Sequence, residues 1–392
     1  MADKAPITPQ VLRWARLTAK FSIEIAATKV KVAAEKLDEW ENGISQPTIV
    51  QAQSLAKLYK RPFAILFLPN IPTDFQPLQD YRKNADELST ASIFIIREIQ
   101  ERQAWISEFY QENGEAPLPF VGKFSIRDSS DTVAADILKT LEIRSPYYQT
   151  SNPVKEWVDK AEAKGVFISR SSFIHSRMKF DSDEIKGFAI ADEYAPFIFV
   201  NTEDWKAPQL FTLVHELAHI WIGQSGVSNE SDLELKLKHQ IHQVEAFCNE
   251  VAAAALMQNE SMNRLNRNVF KSQVELFTTA KNWGVSSFAL LVRALHMNLI
   301  STQEYNNSKA QADSAYKQYL VREEAKRESQ KKDTDGGPSY YQLQLNKVSP
   351  HFTRFVLEAY RSGMIPPTQA SSLLNVKTNN FPKLEKYLST QA

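Results

Sequence analysis

A chain of 392 residues is long enough for two or three domains and for at least one sizeable core. Apolar residues make up 43% and charged residues 23%, as in a globular protein, and no apolar run approaches the roughly 20 residues that cross a bilayer. Lysine plus arginine balances aspartate plus glutamate at 46 each. No whole-chain field therefore draws the protein onto nucleic acid or an anionic membrane, and any DNA contact has to be local.

The opening MADKAPITPQVLRWARL lacks the apolar segment and small-residue cleavage site of a signal peptide, which predicts a cytoplasmic protein. The single cysteine, Cys248, excludes an internal disulfide and fits a reducing compartment. From Thr8 to Pro69 the pattern is helical with short loops. Trp40 and Glu41 end one helix, Gly43 supplies the turn, and Pro47 is expected inside the first turn of the next, whose apolar face continues through Leu55, Leu58 and Tyr59. Ser89 to Gln111 reads as a long helix.

After Pro146 and Pro153 the texture changes. WVDKAEAKG reads as a helix capped by Gly165, and VFISR, GFAIAD and PFIFVN read as strands, the last two forming a hairpin. An extended peptide could add to an edge of that hairpin. A helix then starts near Asp204 as cap, with Pro208 early in it, and carries FTLVHELAHIWIG. Gln224 to about His239 reads as a polar loop, HQVEAFCNEVAAAALM as a second helix, and FTTAKNWGVSSFALLVRALHMNLI as two more around Gly284. VREEAKRESQKKDTDGGPS is a charged helix end and linker, and Tyr340 to Leu388 a small helical unit. The domain expectation is thus 1–70, a connector 71–145, 146–300, a charged helix and linker 301–338, and 339–392.

The chemistry concentrates in HELAH. Positions i and i+4 share a helix face, so His215 and His219 can offer imidazole nitrogens to one ion while Glu216 turns toward its open side. That is half of a zinc site with a base beside it; the bland reading is two ordinary histidines on a buried helix. A catalytic zinc needs a third protein ligand. Glu245 can supply it, with Asn249 one turn on to orient a ligand histidine, and Ala252 to Ala255 letting the two helices approach. Glu250 is the rival and points elsewhere on the helix, so only one of the two acids can face the metal. His239 and His242 are further candidates, while Cys248 among alanines reads as a small buried side chain. For an oxyanion partner Tyr194, His239, His242, Arg293 and His296 stay equally open.

GFAIADEYAPFIFVN, FTLVHELAHIWIG, EAFCNEVAAAALM and VSSFALLVRALHMNLI, in this order, resemble the ImmA/IrrE family of metallopeptidases over roughly Gly165 to Ile300. The resemblance implies a gluzincin-like fold, a Zn2+ ion held by His215, His219 and Glu245, and Glu216 as base. It also implies regulated cleavage of a repressor-like protein. Asn249 and Val251 are mild departures from that family's pattern. The first seventy residues resemble an Xre-type helix-turn-helix through WENGISQPT and LAKLYKRP, with Lys31 where the turn usually has glycine. The expected fold class is therefore α+β and mostly helical: a helix-turn-helix-like N-terminal domain, a gluzincin-like zinc peptidase domain with a small β-sheet, and a small helical C-terminal unit.

The expected recognition helix carries Ala33, Ala34, Glu35, Asp38 and Glu39, whose carboxylates repel phosphates. Residues 1–70 hold ten lysines and arginines against six acids, and Lys29, Lys31, Lys57, Lys60 and Arg61 could still grip a DNA backbone from the flanks. Any specificity would fall to those lysines or to Gln46 and Thr48. The expectation is weak, salt-sensitive DNA binding, with a protein partner as the main use. A second functional class follows: an antitoxin-like or transcription-regulatory binding protein, docking a repressor or toxin-like partner, whose zinc domain is mainly structural. An intact Glu216 favours the enzyme.

Overall fold

A computed structural model describes residues 3–73, 78–80, 88–175, 178–179, 184–203, 206–228, 242–310, 312 and 339–389. The chain divides into two compact units, Met1–Pro77 with Asp86–Glu101 and Phe173–Lys179, and Leu78–Ala85 with Arg102–Ser172 and Phe180–Ala392.

The smaller unit is built on helices α1 (Pro9–Thr18), α2 (Ile23–Val30), α3 (Ala34–Glu41) and α4 (Ile49–Leu58) around Leu12, Leu37, Trp40, Leu55 and Tyr59. A buried ion pair ties α1 to α3, with Arg16 donating from Nε and Nη2 to the two Glu41 oxygens at 2.7 and 2.8 Å. Lys31 ends α2 in the left-handed region at φ 58°, so a lysine performs the turn that glycine makes more cheaply. Pro47 lies outside α4, contrary to expectation. Thr48 is the cap, and Thr48 and Gln51 make a reciprocal capping box that fixes the start at Ile49. Arg61 is also corrected: it is buried and lies 4.3 Å over the Trp14 ring, so it is not a phosphate grip. The remaining four lysines, Lys29, Lys31, Lys57 and Lys60, are exposed.

The larger unit contains a mixed five-stranded sheet, in the order β1-β7-β5-β6-β2. Its strands are β1 (Gln79–Asp80), β2 (Phe167–Ser171), β5 (Gly187–Ile190), β6 (Phe197–Asn201) and β7 (Gly226–Ser228); the short pair β3 (Phe173–His175) and β4 (Met178–Lys179) belongs to the smaller unit. β2 runs parallel to β6 and β1 parallel to β7, while β5 is antiparallel to both neighbours. The hairpin β5–β6 is therefore interior, with β7 on one side and β2 on the other, and has no edge for a peptide to join. β7 lies where the sequence reads as polar loop; three residues are too few for a period-two signal.

Side chains alternate across this sheet. Phe167, Phe188, Phe197 and Phe199 share one face, with Phe167 stacked on Phe197 and Phe188 on Phe199 at 4.8 and 5.2 Å between ring centres. Phe352, from the helix Pro350–Arg361 near the C-terminus, packs edge-on to Phe167 and Phe197. Ile168, Ala189, Ile198 and Val200 take the other face and join the core beneath helix α8 (Lys206–Trp221). Helices α5 (Thr90–Glu112), α6 (Ser130–Leu141) and α7 (Pro153–Ala163) lie between β1 and β2 along the chain, and α9 (Gln243–Leu256) follows β7.

Candidate metal centre

Helix α8 is held along its buried face and at its C-terminal end. Leu213, Val214, Leu217 and Ala218 sink into the core, which drives the helix against β5 and β6. Its last turn leaves carbonyls without helical partners. Gly122 N–H donates to Ile220 O and Phe124 N–H to Trp221 O, both at 3.0 Å. Gly122 and Gly223, both at positive φ, touch so closely that a Cβ on Gly223 would lie 3.1 Å from Gly122 Cα. Trp221 stacks on Phe120 and donates from Nε1 to Asp136 at 2.9 Å. The expected cap Asp204 lies outside the described residues.

α9 crosses close to α8 because its contact face is small: Cys248 and Ala252 to Ala255 are all buried. This places Glu245, in the first turn of α9, against HELAH. Glu245 Oε2 is 3.1 Å from His215 Nε2, Oε1 is 3.1 Å from His219 Nε2, and the two Nε2 atoms are 3.1 Å apart. All three side chains are buried, as is Glu216. Among the described residues this is the one cluster of three metal-type donors.

The donors fit a divalent ion. Ligands at about 2.0–2.1 Å and tetrahedral angles lie roughly 3.3 Å apart, close to the 3.1 Å seen here. The two Glu245 oxygens, although buried beside imidazoles, make no hydrogen bond of acceptable geometry, which an ion between the three groups would remedy. His215 Nδ1 is 2.9 Å from Asn249 Oδ1; with Nδ1–H donating there, the Nε2 lone pair of the neutral ring faces the cluster.

The electrostatics agree. Burial by itself raises the Glu245 pKa, but the nearby His215 and His219 outweigh it and hold the carboxyl at about 2. Burial lowers His215, and the Glu245 and Glu216 carboxylates overcome that to raise it. Burial pushes the Cys248 thiol well up, so it remains a neutral packing group.

The other candidates do not join the cluster. Glu250 is half-buried, and its charge is felt by Arg293. His242 is exposed and accepts at Nδ1 from Val244 N–H as the cap of α9. His239 lies outside the described residues. Arg293 donates to Asn259 and pairs with Asp131, His296 is exposed, and Tyr194 is half-buried. Two residues that sequence reasoning missed are Gly187, in β5 against the Glu216 carboxylate, and Asn201, at the end of β6 and bonded to the chain that enters β5. Both were legible as strand residues, but no local signal ties a strand glycine to a helix carboxylate.

Residues 161–295, about a third of the chain, match the family model of the peptidase M78 type, described as an IrrE N-terminal-like domain. That segment contains the whole cluster and is similar to a metallopeptidase domain. No curated protein matches the chain. Among the described residues no helix is long and apolar enough to cross a membrane.

Proposed function

We propose that the chain is a zinc-dependent endopeptidase of gluzincin type that cleaves a regulatory protein, with a repressor-like partner as the substrate class and the cytoplasm as its place of action. The observation that carries this reading is the convergence of His215, His219 and Glu245 at 3.1 Å, with the Glu216 carboxylate one residue along the same helix. A structural metal closed by four protein ligands needs no base beside it.

His215, His219 and Glu245 would hold the ion, and Asn249 would keep the His215 ring in the ligating tautomer. A bound zinc ion supplies Lewis acidity, which acidifies water and polarises a carbonyl. Glu216 takes a proton from the attacking water and returns it to the nitrogen of the leaving amine. The proton balance closes on Glu216, and no nucleophile of the chain is consumed.

The N-terminal unit would act as a helix-turn-helix-like adaptor for that partner rather than as a tight DNA reader. This is supported by α3, where Glu35 and Asp38 are exposed and Glu39 is tied to Lys36 and Ser45. The antitoxin-like alternative shares this docking role but needs no base.

The test uses the purified full chain loaded with zinc. Wild type should carry one zinc per chain and create new peptide N-termini in a cell extract. Glu216→Gln should keep the zinc and lose at least about 100-fold of that activity, given what a positioned general base contributes. Retained cleavage in Glu216→Gln, or a wild type that binds no zinc, would remove the reading.

A further inference from the structure

We propose that Gly187 and Asn201 are positioning residues for the Glu216 carboxylate, an inference that rests on the metallopeptidase reading above. Gly187 is the first residue of β5, and its φ is not in the left-handed region, so any need for glycine there is spatial. A Cβ on Gly187 would lie 2.7 Å from Thr212 Cγ2, 2.8 Å from Glu216 Oε1 and 2.9 Å from Phe199 O. Ordinary contacts are about 3.5–4.0 Å, so the Glu216 oxygen occupies the volume that any other side chain would fill. Thr212 and Glu216 are one turn apart on α8, and Gly187 shares the α8 face of β5 with Ala189. Gly and Ala at these two positions let the helix come down onto the strand until the carboxylate meets its backbone.

Asn201 fixes the height of that strand. Its backbone N–H donates to Lys186 O at 2.8 Å, its Nδ2 donates to Ile185 O at 3.0 Å, and its Oδ1 accepts from Glu203 N–H at 3.0 Å. The side chain is buried with donor and acceptor both engaged, so the chain entering β5 is clamped to the end of β6 immediately before Gly187. Phe199 O, pressing from the paired strand, is backbone and cannot rotate away. Glu216 is thereby wedged between its own helix and β5, and its carboxylate keeps one orientation relative to His215 and His219. Gly187 and Asn201 act through Glu216 rather than on a substrate. Plain helix-to-sheet packing would explain a small residue at 187 equally well, and would predict a cost in stability alone.

The experiment separates the two. Acetohydroxamate chelates metals and passes its proton to an adjacent carboxylate, so its affinity for the cobalt-loaded full chain, read from the visible spectrum, reports where Glu216 points. Glu216→Gln should weaken it about tenfold or more, the scale of one charged hydrogen bond. Gly187→Ala should keep one metal per chain, weaken acetohydroxamate to the same degree, and add nothing further in the double variant with Glu216→Gln. Asn201→Asp, which keeps shape but loses the Nδ2 donor, should weaken it in the same direction and decides the matter if Gly187→Ala does not fold. Wild-type affinity in the folded variants, alongside a weakened Glu216→Gln, overturns the proposal alone. A wild type that takes up no cobalt, or an unaffected Glu216→Gln, overturns the metallopeptidase reading and this proposal with it.

Discussion

Glu245 and Glu162 are both buried carboxyls of the larger unit, yet one is held at about 2 and the other pushed up to about 7. Burial raises both. Glu245 has two imidazole nitrogens at 3.1 Å, and together they overcome burial. Around Glu162 on α7, Ser349 Oγ–H donates at 2.6 Å and His351 N–H at 3.3 Å, with Arg170 adding a weaker attraction; burial wins. Ser349 links the helices Tyr340–Val348 and Pro350–Arg361 at φ 83°, a rare backbone state for a residue other than glycine, and Glu162 meets it there. Depth alone therefore does not decide what a buried acid does. Beside two imidazoles it stays an anion fit to hold a metal; beside a hydroxyl and an amide it becomes near-neutral glue between α7 and the C-terminal helices.

The largest expected effect removes the neighbours of Glu245. His219→Ala should reduce metal content after dialysis from one per chain to nearly none, a loss beyond the roughly 10–100-fold that an outer residue costs. Glu245→Ala should match it and Glu250→Ala should not; metal titrations in the opposite order would show that Glu245 is not a ligand.

The second concerns Glu162. Its folded pKa of about 7 lies above the ordinary 4.5, so the folded state keeps a proton that the unfolded chain gives up. The stabilisation is complete below about pH 4.5 and is lost as pH rises through about 7, by about 3 kcal/mol in all. Glu162→Gln should lack that slope, so the difference in unfolding free energy between variant and wild type should change by about that amount from pH 4.5 to 7.5. Parallel curves would mean that Glu162 does not titrate. A smaller effect is expected at the metal centre: Asn249→Ala should weaken metal binding about 10–100-fold by freeing the His215 tautomer, measured by competition with a chelator. Unchanged affinity would show that Asn249 only packs.

The parts of the centre that repeat along a helix were legible before any fold was known. His215 with His219, and Glu245 with Asn249, are each one turn apart, and a 3.6-residue period is local information that needs no knowledge of the fold. The small face of α9 was legible for the same reason, and so were the Val-, Ile- and Phe-rich strands. Other features depend on partners far away in the chain. That β5–β6 lies inside the sheet is set by β7 and β2, and neither strand announces its neighbours. Glu162 reads as one more acid on an amphipathic helix until Ser349, 187 residues later, is packed against it. Gly187 reads as a strand residue until α8 presses Glu216 into the space of its absent side chain. Periodicity can tell which residues share a face; which faces meet is set by long-range packing, because that choice is made by burying them against one another.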